Sequence, residues 1–253
     1  MVRNSRWIVG AGLVLFAVLS AVQPVAAQAP STFTLQPGGR AVVTFEAFCT
    51  EFGEVFPTKI NLPDGVVTDP ARAALSYGVG KGLNATGEQA LQLQYAIWQA
   101  IGTTNSPKGD ATAQDVVTNG KTVPANPQGT SVVDAAKANQ IKLTLDSFQP
   151  IGNKVQITPT ASDNFYGRGQ ITIENTSQQA LTLFMPVGTR FPSTDAKQQT
   201  LAGYATDAKV TNPQTAPAQL PATGGSETSI ALLAGAFTLL GLGLMARSAR
   251  RRV

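Results

Sequence analysis

Apolar and polar residues alternate along Arg40–Phe48, with Val43, Phe45 and Ala47 on one face and Val42, Thr44, Glu46 and Phe48 on the other. That period of two predicts a strand, and Thr32–Gln36 predicts a second one on the other side of the turn Pro37-Gly38-Gly39. A Pro/Gly-rich loop from Pro57 to Gly65 then gives way to helical spacing. Asp69-Pro70 reads as an N-cap followed by proline at the first helical position, and the helix from Pro70 stops near Gly78, Gly80 and Gly82. Thr86-Gly87-Glu88-Gln89 fits a capping box that opens a helix Gly87–Ile101, ended by Gly102. Asp110 and Ser131 are N-cap candidates for shorter helices over 111–118 and 132–139. Strand patterning returns in Ile141–Phe148, Lys154–Thr158, Gln170–Glu174, Ala180–Phe184 and Leu201–Tyr204, with turn residues between them. Strand pairs flanking a central helical region predict an α+β fold: antiparallel, sandwich- or barrel-like β-sheets with a helical insertion.

The two ends of the chain are patterned differently. Arg3 and Arg6 precede an apolar run, Trp7–Val22, and Val25-Ala26-Ala27 supplies small residues for cleavage, so residues 1–27 read as a signal peptide. Ala205 to Gln219 is polar and rich in Ala, Thr, Pro and Asn, a stalk that reaches at most about 50 Å when extended. Leu220-Pro221-Ala222-Thr223-Gly224 follows, then an apolar run from Ile230 and a tail with Arg247, Arg250, Arg251 and Arg252. Residues 230–246 are near the lower limit of about 17–25 residues for a transmembrane helix, and the arginines favour the cytoplasmic side. Pentapeptide, span and basic tail in this order resemble the cell-wall sorting signal of Gram-positive-type surface proteins. The resemblance implies a sortase partner that cuts between Thr223 and Gly224 and joins Thr223 to the envelope. The expected organisation is an extracellular domain over 28–204, a stalk over 205–219 and a sorting signal over 220–253. The protein is then expected on the outer side of the envelope, anchored to the wall or to the membrane through its C-terminal helix.

These signals distort the overall charge. The whole chain has 19 Lys and Arg against 15 Asp and Glu, a formal net charge of +4. Six of the arginines lie before Gln28 or after Thr223, and Glu227 is the one acidic residue there, so the region between is close to neutral. The basic balance belongs to targeting segments and gives no reason to expect a nucleic-acid partner. The chain contains no histidine, which excludes Cys–His and Ser–His–Asp catalysis and most catalytic zinc sites. Scattered carboxylates leave calcium binding or a glycosidase pair as the remaining chemistries, but no Asp-x-Asp-x-Asp-Gly run is present. Glu46, Glu51 and Glu54 cluster near Cys49 and are read as solvated charges at a strand end. No metal, no cofactor and no enzymatic activity are expected.

Cys49 is the single cysteine, so it has no partner for an internal disulfide. Downstream, Gln94 shares a helical face with Ala90, Ile97 and Ile101, which places an amide inside an apolar stripe. Phe48-Cys49 at a strand end, followed by Gln94-Tyr95-Ala96-Ile97-Trp98 on a helix, resembles the thioester domains of Gram-positive surface adhesins. The resemblance implies β-sheets with a helical insertion and an internal thioester between the Cys thiol and a Gln side chain, formed with loss of ammonia. It also implies that amines on a host or neighbouring-cell surface protein or polysaccharide attack that bond. The family's reactive Gln lies in a later strand, whereas the helical Gln, with Ala96 and Trp98 here, shapes the site. Gln199, in Gln198-Gln199-Thr200-Leu201, is the first candidate; Gln156, Gln149 and Gln94 are alternatives. Two positions depart from the family pattern: Leu93 stands where a Thr is usual, and Thr50 where an apolar residue is usual. The alternative reading is a non-covalent module that binds polysaccharide or protein, with Cys49 a buried small hydrophobe.

Overall fold

The computed structural model describes residues 31–151 and 164–213. The expected signal peptide, the strand Lys154–Thr158, the sorting pentapeptide and the expected membrane span fall outside these residues. In chain order the elements are β1 (Thr32–Leu35), β2 (Arg40–Cys49), β3 (Gly65–Val66), α1 (Asp69–Gly80), α2 (Gly87–Ala100), α3 (Ala111–Asn119), β4 (Thr130–Ser131), α4 (Val132–Lys137), β5 (Ile141–Pro150), β6 (Tyr166–Asn175), β7 (Leu181–Phe184), β8 (Thr189–Phe191) and β9 (Leu201–Thr211). The expected α+β class with antiparallel sheets and a helical insertion is what is observed. Among the described residues no helix is long and apolar enough to cross a membrane.

The strands form two sheets, one of six in the order β3-β8-β9-β2-β6-β5 and one of three in the order β1-β7-β4. Every named pairing is antiparallel except β4 with β7, which is parallel. β1 and β2 are separated by a short turn, yet they belong to different sheets. Asn175 helps to fix this corner: its amide donates to the Leu35 carbonyl at 3.0 Å and to the Gln179 carbonyl at 2.7 Å.

β2 is the axis of the fold, and its period of two sorts the core. Ala41, Val43, Phe45, Ala47 and Cys49 enter one apolar cluster together with Leu35 of β1, Leu183 of β7 and Ile171 and Ile173 of β6. That cluster lies between the two sheets and makes this part of the molecule a sandwich. Phe48 points the other way, into a second cluster built with Leu75 of α1, Leu93 and Ile97 of α2, and Val116 of α3. The helical insertion therefore covers the opposite face of the same strand. Trp98, near the end of α2, joins the first cluster instead, which connects the insertion to the surroundings of Cys49.

Three local differences from the sequence reading have physical causes. Asp69 is not the cap of α1: Thr68 occupies that position, and Asp69 sits in the first turn and pairs with Arg72 at 3.0 Å. An acidic side chain there complements the helix dipole without capping it. Residues 205–211, expected in the stalk, are the second half of β9 and lie along Arg40–Phe45 of β2. Their Ala/Thr/Lys composition reads as a linker, but the exposed ladder of β2 supplies a partner that overrides local propensity. Glu46, expected to face water, is 3% exposed. Its carboxylate accepts from the Arg168 guanidinium, the Tyr204 hydroxyl and the Asn84 amide, so a buried charge is fully engaged by β6, β9 and the α1–α2 loop.

Candidate functional site

β2 ends on Cys49, which is completely buried and forms no disulfide. Its neighbour on one side is β9, where Cys49 pairs with Leu201. On the other side its N–H donates to the Phe165 carbonyl at 3.1 Å. The chain then leaves the sheet: Thr50 N–H donates to the Thr200 carbonyl at 3.1 Å and the Thr50 hydroxyl donates to the same oxygen at 2.8 Å. The segment running into β9 is thereby sewn to the segment running out of β2.

Gln94 reaches this strand end from α2. The Cys49 N–H donates to Gln94 Oε1 at 2.9 Å, and Gln94 Nε2 donates to the Cys49 carbonyl at 2.9 Å. Gln94 has no exposed surface, so both halves of its amide are spent on the backbone of one residue. Of the capping box expected at the start of α2, the N-cap half is present, with the Thr86 hydroxyl accepting from the Gln89 N–H at 3.3 Å, while Gln89 Oε1 accepts from that hydroxyl at 3.2 Å in place of the Thr86 N–H. That cap and the apolar stripe of the helix set the height at which Gln94 meets Cys49.

Gln199 is 3% exposed and lies two residues before Leu201, the partner of Cys49 in β9. Its Nε2 donates to the Glu54 carbonyl at 2.7 Å and its own N–H donates to the Val55 carbonyl at 3.0 Å. Its Oε1 is buried and has no hydrogen-bond partner, and the same is true of Trp98 Nε1. A buried polar atom left unpaired costs about 1–3 kcal/mol. An orphan acceptor and an orphan donor, both on residues singled out around Cys49, mark this end of the sheet as unusual for a plain core.

The other glutamine candidates are placed differently. Gln149 is exposed on β5, which is separated from β2 by β6. Gln156 falls outside the described residues. Gln94 touches Cys49, but through the backbone. Ala96 is buried in the second cluster with Phe48, and Trp98 in the first with Cys49. Aromatic rings screen the site: Phe52 meets Trp98 edge-on with centroids 4.9 Å apart, and Tyr95 lies 6.2 Å from the same ring.

Electrostatics keep the thiol protonated. Burial, and secondarily the charge of Glu51, push the Cys49 thiol well above its ordinary range. Glu51 itself is held above the usual carboxylate range, by burial first, although its hydrogen bonds with Thr50 and Thr200 act in the opposite direction. Its Oε2 accepts from the Thr200 N–H at 2.7 Å. Sequence reading grouped Glu46, Glu51 and Glu54 as one solvated cluster; the structure separates them into a buried structural anion, a half-buried one at the site and an exposed one. The signal available beforehand was phase: Glu46 sits mid-strand, whereas Glu51 lies two residues past Cys49 beside a Phe.

No group of three or more His, Cys, Asp or Glu that could hold a metal ion occurs among the described residues. A groove of about 540 Å³ opens beside the site, and Thr50, Glu51, Phe52, Ile101 and Thr200 are among its walls.

Compared with known proteins, residues 212–253 match the family described as the LPXTG cell wall anchor motif. No curated protein and no solved structure matches the chain. The anchor match covers the pentapeptide Leu220-Pro221-Ala222-Thr223-Gly224 and everything after it. It makes the protein a sortase-processed, cell-wall-anchored surface protein that faces the exterior.

Proposed function

We propose that the wall-anchored domain is an adhesin-like module, not an enzyme, that captures amine-bearing partners covalently through a thioester between Cys49 and Gln199. One observation carries the reading: the buried Gln199 side chain, with an unpartnered carbonyl oxygen, lies on the segment sewn to the Cys49 strand end, while Gln94 grips the Cys49 backbone from the other side. In bond formation Cys49 Sγ attacks Gln199 Cδ. The S–C bond forms, the C–N bond breaks, and the thiol proton leaves with the amide nitrogen as ammonia. An incoming amine later reverses the logic: an N–C bond forms, the C–S bond breaks and the thiol is regenerated. The apolar and aromatic shell of Phe52, Phe56 and Trp98 excludes water, which is what such a stored electrophile requires.

The raised thiol pKa favours a second reading. A deeply buried, protonated cysteine is a poor nucleophile. In this reading Cys49 is a small core residue, and the anchored domain binds a surface protein or polysaccharide without a covalent step. Mass separates the two. A full chain one ammonia lighter than its sequence, with Cys49 and Gln199 peptides joined until methylamine opens them, supports the thioester. A full-mass chain with a free Cys49 leaves the non-covalent module.

A further inference from the structure

The groove beside Cys49 has a chemistry of its own. Phe52, Val67 and Ile101 are among its apolar walls, and its polar groups are Glu51, Arg190 and four threonines, Thr200 among them. The two charges are not equivalent. The Arg190 guanidinium is committed to Asp64 through two hydrogen bonds, at 2.8 and 2.6 Å. Glu51 takes part in none of the ion pairs among the described residues. Its carboxylate is instead positioned by the Thr200 N–H, the peptide group that directly follows Gln199. The groove thus offers one unneutralised carboxylate, between apolar walls, at the junction of the two chain segments that carry Cys49 and Gln199.

We infer that this groove admits an alkylammonium, such as a lysine side chain, and that Glu51 binds its charge and accepts its proton before the nitrogen attacks the Cys49–Gln199 bond. This rests on the thioester reading. An ammonium has no lone pair and cannot attack a carbonyl, so at neutral pH a proton acceptor at the entrance of a site that takes amines speeds their attack. Glu51 takes one proton from the ammonium and becomes a carboxylic acid. The free amine nitrogen adds to Gln199 Cδ, the C–S bond breaks, and Cys49 Sγ leaves with the electron pair. The nitrogen gives up a second proton, which ends on Cys49 as the thiol, and Glu51 returns its own proton to water. The buried position of Cys49, which disfavours a thiolate, drives that last protonation. Burial likewise makes Glu51 a stronger base than an exposed carboxylate, in the presence of Cys49, Glu54 and Arg190 as its charged and titratable neighbours.

The test follows covalent uptake of two nucleophiles by intact mass, using the full chain purified in detergent at neutral pH. Butylamine is an ammonium there and hydroxylamine is neutral. Glu51→Gln keeps an acceptor for the Thr200 N–H and removes only the charge. The expected result is an intact thioester in Glu51→Gln, butylamine uptake slowed about tenfold or more, and hydroxylamine uptake changed less than about twofold. Glu51→Asp, which restores the charge on a shorter arm, recovers part of the butylamine rate. Equal slowing of both nucleophiles, slowing of neither, or loss of the thioester in both Glu51 variants would overturn the role of Glu51 while leaving the thioester reading in place. A wild-type chain of full mass removes the thioester reading, and this inference with it.

Discussion

Gln94 joins two parts of the molecule through one side chain. Its amide replaces a missing strand partner for Cys49, giving the Cys49 carbonyl a donor and its N–H a second acceptor beside Phe165. Gln94→Ala leaves that carbonyl buried without its donor and opens a cavity, so it is expected to cost about 2–4 kcal/mol in urea unfolding. A loss below about 1 kcal/mol would mean that the clamp is dispensable. Cys49 gives a second expectation, with a defined sign. Its folded thiol pKa lies above the ordinary 9.0, so the folded state keeps a proton that the unfolded chain releases. The resulting stability is fully present below the unfolded pKa and is lost as pH rises past it, by up to about 1.4 kcal/mol per pH unit. Gln199→Ala holds the thiol free on either functional reading. It should therefore lose more stability from about pH 8 to about pH 10 than Cys49→Ala/Gln199→Ala does. Tyr95, Tyr166 and Tyr204, all shifted upward by burial, titrate alike in both variants and cancel.

Between elements, two glycines let aromatic rings lie flat on the large sheet. Phe45 and Phe191 stack with centroids 4.3 Å apart and planes 8° from parallel. A Cβ on Gly169 of β6 would fall onto the Phe45 ring and 2.6 Å from the Ser147 carbonyl; one on Gly203 of β9 would fall 2.6 Å from the Phe191 ring. Gly169→Ala is expected to lower stability by about 1–3 kcal/mol and to lower the melting temperature accordingly, because backbone as well as ring must move. These glycines show where sequence reading stops. The period of two in Arg40–Phe48, the N-cap at Thr86 and the buried phase of Gln94 were all legible, because each depends on residues a few positions apart. The split of β1 and β2 between sheets was not, since it depends on pairing with β7, β6 and β9 much later in the chain. β8, three residues long, is too short to show a period. The burial of Glu46 was hidden for the same reason: its partners Asn84, Arg168 and Tyr204 come from three distant segments. At the site, Cys49 and Gln94 could be read as a pair from their motifs, but Glu51 and its groove emerge only when Thr200 is folded against Thr50.

For the whole molecule, the extension of β9 to Thr211 shortens the segment left for a stalk to residues 212–219. Extended, that length reaches about 26 Å, against about 50 Å for the stalk expected from composition. The anchor match covers residues 212–253, and the resemblance of its pentapeptide to a sorting signal implies that Thr223 is the residue a sortase joins to the wall. Thr223→Ala keeps the backbone carbonyl that such an enzyme transfers but removes the side chain that marks the cleavage site, and it leaves the domain itself untouched. In the native cell, the wild-type protein is expected in the fraction released by muramidase, and the Thr223→Ala protein in the detergent-soluble membrane fraction. If the thioester reading holds, both should take up a biotinylated alkylamine equally once solubilised, because capture belongs to the domain and attachment to the signal. A Thr223→Ala protein that still appears in the muramidase fraction would show that anchoring does not pass through this residue. Loss of amine uptake together with loss of anchoring would instead tie the chemistry of the domain to its attachment.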